Sequence, residues 1–335
     1  MNYASNKDYQ SILTAVKSNI SGISWPTILT FIVSAFVIIS MQFLYARNQI
    51  HLLPHLIITS YFMYVMYTPL HEASHQNISG TVKKFRFLNP VIGFLSAAFY
   101  LHSYTQHTWS HLEHHKYAND KELDPDYIIK GSNWLSIMAR GFFILLIKDY
   151  FYVRNEKLKN DKVAKIKMRI GTLESILPIV LLVVLTNVFN LPWYHFLISY
   201  VFPLLFAVML LGIFFDYLVH MPHQSNEKFG DTNIIRTRKW FDYPMTWIWC
   251  FQNYHGMHHL FPKLPFYKYK KVFKEKEEEL LKLGLPVYTL EDIKKMNIDK
   301  KNDKDEALKK DFRIGQYIYI AIYVSLVIAL IVIYS

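Results

Sequence analysis

Long apolar stretches alternate with polar and charged segments along this chain, and their lengths predict its elements. A helix of about twenty apolar residues crosses a hydrocarbon core of roughly 30 Å. Five stretches are long enough, at residues 27–46, 52–70, 172–191, 196–219 and 314–333. Short connections join the first two and the next two, so each pair predicts a transmembrane helical hairpin. Two shorter apolar stretches, residues 88–101 and 134–147, predict interfacial or re-entrant helices.

The polar segments predict the domain organisation. Residues 1–24 are mostly polar and lack the compact apolar centre of a cleavable signal, so we expect a cytoplasmic N-terminal segment. The remaining predicted units are a membrane domain at 25–265, a Lys- and Glu-rich cytoplasmic segment at 266–313 and an extra C-terminal transmembrane helix at 314–335. The predicted fold class is an all-α integral membrane protein, with two transmembrane hairpins and a cytoplasmic cap.

Basic residues gather on one side of the predicted spans. They follow the first hairpin at Lys83, Lys84 and Arg86, and they recur within residues 154–169 and 263–313. Cytoplasmic loops of membrane proteins carry such an excess of Lys and Arg. This side of a multi-pass protein is therefore predicted to face the cytoplasm. The same bias explains the net charge of +11, and we expect no nucleic-acid partner.

Cysteine and histidine usage narrows the chemistry. The single cysteine, Cys250, excludes a disulfide framework, a Cys-based zinc site and an iron–sulfur cluster. The 15 histidines are clustered instead, and eight of them fall in three windows next to span ends on the predicted cytoplasmic side. The windows are residues 71–75 (box 1), 111–115 (box 2) and 255–259 (box 3), with His71, His75, His111, His114, His115, His255, His258 and His259.

The spacing within each box indicates metal binding. Side chains three or four residues apart share one helical face, and neutral imidazole binds borderline transition metals. Eight converging histidines exceed the ligands of one tetrahedral zinc, so two metals are predicted. His220 is the predicted ninth ligand, and Asp216 shares its predicted helical face and needs a partner near the membrane core. His223 is the substitute for His220, whereas His102 and His107 are weaker candidates to line the site.

Two other histidine patterns have separate interpretations. His51 and His55 repeat the spacing of box 1 at the outer end of the second span, so the bilayer thickness separates them from the boxes and we expect no part in the site. The sequence His71-Glu72-x-x-His75 also matches the zinc protease signature, with Glu72 as general base. That intramembrane protease is an alternative of another class, and it leaves the other six boxed histidines without a role.

Three histidine boxes after paired spans resemble the membrane fatty acid desaturase and hydroxylase superfamily, over about residues 69–269. The resemblance implies a non-haem di-iron centre in the cytoplasmic cap, with O2 as co-substrate in the oxidation of lipid C–H bonds. It implies that the eight boxed histidines and His220 bind two iron ions, and that the metal ligands are the only catalytic residues. Residues expected to orient these ligands are Asp124, Asp126, Asp216 and Asn253. Asp216 stands where acyl-CoA desaturases have asparagine.

Four segments resemble a narrower group, the cyanobacterial-type β-carotene hydroxylases. They are residues 114–126, 214–222, 252–262 and 264–269. Hydroxylation of a carotenoid β-ring is therefore the leading prediction. The His-x-x-x-His spacing of box 1 equally suits acyl-lipid desaturases, and carotenoid ketolases share much of the pattern, so fatty acid desaturation and ketolation stay open. The charged segment and the C-terminal span depart from the short hydroxylase pattern.

Such a reaction needs electrons from outside the protein. The sequence shows no fused cytochrome b5 signature, flavin fingerprint or Cys-rich centre. We therefore expect a separate, ferredoxin-like electron donor that docks on basic residues within 154–169 or 263–276. The lipid or carotenoid substrate is expected to enter from the bilayer.

Overall fold

The apolar stretches form long helices in the computed structural model, which describes residues 3–20, 22–130, 137–138, 140 and 160–299. The N-terminal half contains α1 (Tyr3–Asn19), α2 (Trp25–Ala46), α3 (Leu52–Ser74), α4 (Leu88–Ala98) and α5 (Tyr104–Tyr117). Next come α6 (Lys162–Val188), α7 (Trp193–Phe196) and α8 (Phe202–Leu211), with π-helical segments at Leu197–Val201 and Gly212–Tyr217. The C-terminal part contains β1 (Ile234–Arg236), α9 (Asp242–Ile248), α10 (His255–Leu260), α11 (Tyr269–Glu275), α12 (Glu277–Lys282), β2 (Val287–Thr289) and α13 (Leu290–Asp299).

Three helices of the described residues are long and apolar enough to cross a membrane. They are α2, α6 and the continuous run Tyr194–Tyr217, and they contain most of the predicted spans 27–46, 172–191 and 196–219. The predicted span 52–70 falls in α3, a helix of 23 residues with buried polar side chains such as Thr59 and Thr68. The predicted span 314–333 and most of the stretch 134–147 lie outside the described residues. The number of hairpins and the orientation therefore stay predictions.

The larger hydrophobic core is built around α3. Met63 and Met66 of α3 are fully buried and belong to the same cluster as Leu204 of α8. Apolar side chains of the long helices also point outward, and Phe36 of α2 and Leu173 of α6 are each 70% exposed. Extended exposed apolar surface marks contact with a membrane or a partner, and helices of this length and composition fit a membrane.

A second hydrophobic cluster packs the N-terminal helix α1 and the charged segment after box 3 against box 3 itself. Ile12 of α1, Phe273 of α11 and Leu280 of α12 pack together with Met257 of α10. Residues 266–299 thus pack on the boxes through an apolar face, although the sequence indicated a solvated segment. The physical reason is that their Lys and Glu residues alternate with buried aromatic and aliphatic ones.

The prediction of an all-α fold needs one correction. β1 and β2 form a parallel two-stranded sheet, with Ile234 opposite Val287 and Arg236 opposite Thr289. Ile234 and Ile235 are both fully buried, and β-branched residues favour extended backbone where they pack on both faces. The structure is therefore mostly helical, with one small sheet that pairs a strand before box 3 with a strand after it.

His55 ties three helical segments together far from the boxes. Its ring is fully buried, with Nδ1 3.2 Å from the Met41 carbonyl oxygen of α2 and Nε2 2.8 Å from the Ser199 carbonyl oxygen of the first π segment. Tyr45 stacks on the ring at 4.6 Å. The sequence assigned His55 no part in the site, which agrees with this position, but it did not indicate this structural role.

We expect His55→Ala to destabilise the protein without changing its metal content. The variant leaves buried carbonyl groups without their partner and creates a cavity, at a cost of about 2–4 kcal/mol. His51→Ala is the matched control, because His51 is exposed and makes no side-chain cap bond. Thermal unfolding in detergent should show a lower midpoint for His55→Ala alone. Equal midpoints for the two variants would contradict the structural role.

Candidate metal centre

The three boxes meet where α3, α5 and α10 converge. Box 1 ends α3, with His71 in its last turn and His75 as its C-cap. Box 2 lies on α5, which begins at a true N-cap, since the Ser103 hydroxyl accepts from the Gln106 N–H. Box 3 is most of the short helix α10. His220 follows the second π segment, and all nine predicted histidines come together in two groups.

The first group has the spacing of ligands around one ion. It consists of His71, His75, His111, His115 and His258, with ligand atoms within 4.8 Å of one another. The Nε2–Nε2 distances are 2.7 Å for His115–His258, 2.8 Å for His75–His111 and 2.9 Å for His71–His258. Metal–imidazole bonds of about 2.0–2.1 Å place two adjacent ligand nitrogens about 3 Å apart. The first group therefore fits one metal ion.

The second group consists of His114, His220, His255 and His259. The Nε2 atoms of His114 and His220 are 3.2 Å apart, and the buried Nε2 of His259 has no hydrogen-bond partner within the described part of the chain. Each Nδ1 faces an acceptor, and the four acceptors are Asp124 Oδ1 at 2.8 Å, the Asp231 carbonyl oxygen at 3.2 Å, Gln252 Oε1 at 2.9 Å and Asp231 Oδ2 at 3.1 Å. A ring that donates from Nδ1 keeps its Nε2 lone pair for a metal. The second group fits a second ion.

Burial keeps most of these imidazoles neutral, as a metal ligand must be. Burial lowers the pKa of His75 to about 3. Burial and neighbouring histidines lower the pKa well below its usual value for His71, His111, His115, His220, His255, His258 and His259. Burial alone would also lower the pKa of His114, but the carboxylates of Asp124 and Asp126 outweigh it and raise that pKa to about 9.

The three predicted aspartates all lie beside His114. Asp124 Oδ1 is the hydrogen-bond acceptor of His114 Nδ1 at 2.8 Å, and Asp126 Oδ2 is 3.7 Å from the same nitrogen. Asp216 is buried, and its charge also acts on His114. We predicted that Asp216 shares a regular helical face with His220. The segment is instead π-helical, since the Leu218 N–H donates to the carbonyl oxygen five residues back.

Among the described residues Asn253 makes no hydrogen bond to a histidine, although the sequence predicts that it orients one. Its Nδ2 donates to the Ile235 carbonyl oxygen and the Thr246 hydroxyl, each at 3.3 Å. Asn253 therefore holds the chain before box 3 to β1 and α9. Gln252 and Asn253 are neighbours on the 3-10 turn Gln252–Tyr254, so their side chains point in different directions, and Gln252 is the one that reaches His255.

Three supporting residues were missed by the sequence analysis. Gln252 accepts from His255 Nδ1, Tyr269 OH is 3.0 Å from His258 Nδ1, and Asp231 Oδ2 is 3.1 Å from His259 Nδ1. Gln252 precedes His255 by three residues, so helical spacing was an available signal. Asp231 and Tyr269 lie 28 and 11 residues from their histidines, and no local pattern indicates contacts of that kind.

Glu72 faces away from both groups. Its Oε1 accepts from Asn77 Nδ2 at 3.2 Å and its Oε2 from the Phe266 N–H at 3.3 Å. Burial raises the pKa of this fully buried carboxyl to about 8. Glu72 is in none of the groups of described residues that could hold a metal. A protease of the H-E-x-x-H type needs its glutamate at the metal-bound water, and this geometry disfavours that alternative.

Aromatic rings lie between the two histidine groups and the long apolar helices. The Phe215 ring centroid is 5.0 Å from that of His71, 5.3 Å from that of His255 and 4.6 Å from that of Tyr67. Phe215 belongs to the second π segment, which is continuous with a candidate membrane span. One side chain therefore touches a ligand of each group from the side of the long helices.

A comparison with known protein families matches residues 48–291 to the fatty acid desaturase family. The matched region contains all three boxes and His220, and it covers more than half of the 335 residues. No curated protein sequence matches this chain. The match agrees with the helices and with the histidine groups that fit a metal site. The chain belongs to the fatty acid desaturase family.

Proposed function

We propose that this protein is a membrane di-iron oxidoreductase that uses O2 to oxidise C–H bonds of a lipid, with hydroxylation of a carotenoid β-ring as the leading candidate reaction. The observation that supports the proposal is the division of nine histidines, eight of them buried and His115 half-buried, into groups of five and four. Membership of the fatty acid desaturase family supports an oxidoreductase that acts on lipids. The proposal adds the identity of the metals and of the substrate.

The donor set fits two irons. Imidazole suits iron as well as zinc and copper, and all nine ligands are nitrogen donors. His71, His75, His111, His115 and His258 would hold one ion, and His114, His220, His255 and His259 the other. Bound iron supplies the reductive activation of O2 that an unactivated C–H bond requires.

The residues around the histidines have two tasks in this proposal. Asp124, Gln252 and Asp231 fix the ring orientations of the second group through Nδ1, and Tyr269 does so for His258. Such partners typically change metal affinity or activity by about 10–100-fold. Phe215 packs against His71 and His255 and closes the centre towards the long helices, where it would exclude water.

The substrate assignment depends on residues near the histidines. Asp124-Pro-Asp126 after box 2, the Phe-Phe-Asp-Tyr-Leu-Val-His run that ends at His220, and Gln252-Asn253-Tyr254 before His255 are the segments that resemble β-carotene hydroxylases. The family match is equally consistent with a second candidate, acyl-lipid desaturation. Both reactions begin with hydrogen abstraction, and substrate placement decides between them.

Expression in a β-carotene-producing host tests the proposal. We expect mono- and dihydroxylated carotenoids on pigment analysis, and about two irons per chain after anaerobic purification. Unchanged pigment with new unsaturated fatty acids would establish the desaturase instead, and keto-carotenoids would establish a ketolase. One zinc ion and no iron would reject the di-iron proposal for every substrate.

The electron donor is proposed to dock beside His75. Lys263 Nζ donates to the His75 carbonyl oxygen at 2.6 Å. Partial burial lowers the pKa of Lys263, and the nearby charge of Arg86 lowers it further. Lys263 and Arg86 are exposed, so together they present positive charge to an acidic partner. Lys270, by contrast, is engaged with Asp242 Oδ2 at 2.5 Å. With the excess of basic residues, this face is proposed to be cytoplasmic.

We expect Glu72→Gln to retain two irons and most of the turnover. The amide is nearly isosteric and keeps one acceptor for the Asn77 or Phe266 donor, so the cost to stability is about 1 kcal/mol. The same change removes the general base of a zinc protease and abolishes its activity. Iron analysis and product yield should be measured beside the neighbouring His71→Ala variant, which we expect to lose the iron of the first group and the product. Complete loss of product in Glu72→Gln with iron retained would revive a catalytic role for Glu72.

A further inference from the structure

We propose that Asn119 is a positioning residue for the second histidine group, and that iron in this group depends on Asn119 while iron in the first group does not. The inference rests on the proposed binding of one metal by each group. It concerns a residue outside the boxes, between α5 and the long loop that follows His220.

Asn119 joins two separate stretches of chain. Its Nδ2 donates to the carbonyl oxygens of Ser225 and Asp231, each at 2.7 Å, and its backbone N–H donates to Asp124 Oδ2 at 2.8 Å. Both hydrogens of one amide group therefore hold the loop after His220. The backbone hydrogen holds the carboxylate that supports His114.

The partners of Asn119 orient three of the four rings of the second group. Asp124 accepts from His114 Nδ1. Asp231 serves two histidines, because its carbonyl oxygen faces His220 Nδ1 and its carboxylate faces His259 Nδ1. If the loop moves, the acceptors for two rings move together, since both belong to one residue.

The first group is placed by other means. His71 and His75 belong to the end of α3, His111 and His115 lie on α5, and His258 lies on α10. His258 Nδ1 contacts Tyr269 OH, and His71 Nδ1 has no hydrogen-bond partner among the described residues. Helix geometry therefore positions the first group, whereas the second group includes His220 from a turn and needs the loop network.

Glycine is the cleanest replacement for Asn119. The residue has φ +65°, in the left-handed region, where glycine fits without strain and alanine does not. Asn48 is the matched control, because it has φ +57°, is exposed and lies in the turn after α2. The full-length protein, purified in detergent, should be loaded anaerobically with ferrous iron, and iron per chain measured after gel filtration, with Mössbauer spectra of 57Fe.

We expect two irons per chain in the unaltered protein and in the control variant Asn48→Gly. At the same ferrous concentration, Asn119→Gly should bind one iron per chain. The affinity for the second iron should fall by about 10–100-fold, and one of the two Mössbauer sites should disappear. Two irons at unaltered affinity in Asn119→Gly would overturn the inference. Simultaneous loss of both irons from a folded Asn119→Gly protein would also overturn it, because iron binding by the first group would then depend on Asn119 as well.

Asp231 variants decide the matter if Asn119→Gly does not fold. Asp231→Ala removes the acceptor of His259 and should also lose one iron, whereas Asp231→Asn keeps a side-chain oxygen and should retain two. Equal iron in Asp231→Ala and the unaltered protein would overturn the inference. Fewer than two irons in the unaltered protein would reject the proposed di-iron function itself, which distinguishes that failure from a failure of the Asn119 assignment.

Discussion

His258→Ala will abolish product formation and remove iron from the first group. The Nε2 of His258 is 2.7 Å from that of His115 and 2.9 Å from that of His71, so this ring bridges the ligands contributed by α3 and α5. Loss of a ligand exceeds the roughly 10–100-fold effect of losing a supporting partner. We therefore expect activity to fall by more than about 100-fold.

Product yield and iron content should be measured together in this variant. The exposed His51 provides a control, because His51→Ala removes the same side chain at a position far from the boxes along α3. We expect that control to keep two irons and full product yield. A His258→Ala protein that binds two irons with unaltered affinity would show that His258 is not a ligand.

Helical spacing was enough to predict that histidines four residues apart converge, because this relation is local, and the three such pairs each share one group: His71 and His75, His111 and His115, and His255 and His259. Box 2 forms a helix with a capped start, and box 1 ends a long helix. The division into two groups required the structure. His114 and His115 are adjacent but belong to different groups, as are His258 and His259. Neighbours on a helix point about 100° apart, so adjacent histidines serve two centres rather than one.

Long-range contacts account for what the sequence did not reveal. Asp231 and Tyr269 reach their histidines through tertiary packing, and the apolar face of residues 266–299 becomes evident only when α1 packs against it. The π geometry at Gly212–Tyr217 changes the relation of Asp216 to His220, and a periodicity of 3.6 residues does not indicate such a segment.

Glu72 shows why a short motif needs its geometry. The pentapeptide of box 1 has the zinc protease spacing, yet the carboxyl group bonds to Asn77 and Phe266. It thereby links the end of α3 to the segment after box 3. The first and third boxes are thus joined by this buried contact as well as by the histidines themselves.

His220→Ala will remove the second iron and lower product yield by more than about 100-fold, whereas His223→Ala will retain both irons. The Nε2 of His220 is 3.2 Å from that of His114, and its Nδ1 faces the Asp231 carbonyl oxygen. The ring of His223 lies 5.3 Å from Tyr217 and 6.3 Å from His220 between centroids, and His223 is in neither group of described histidines. Iron analysis of both variants shows which of the two histidines is a metal ligand. The reverse result, with iron lost only in His223→Ala, would assign the ninth ligand to His223.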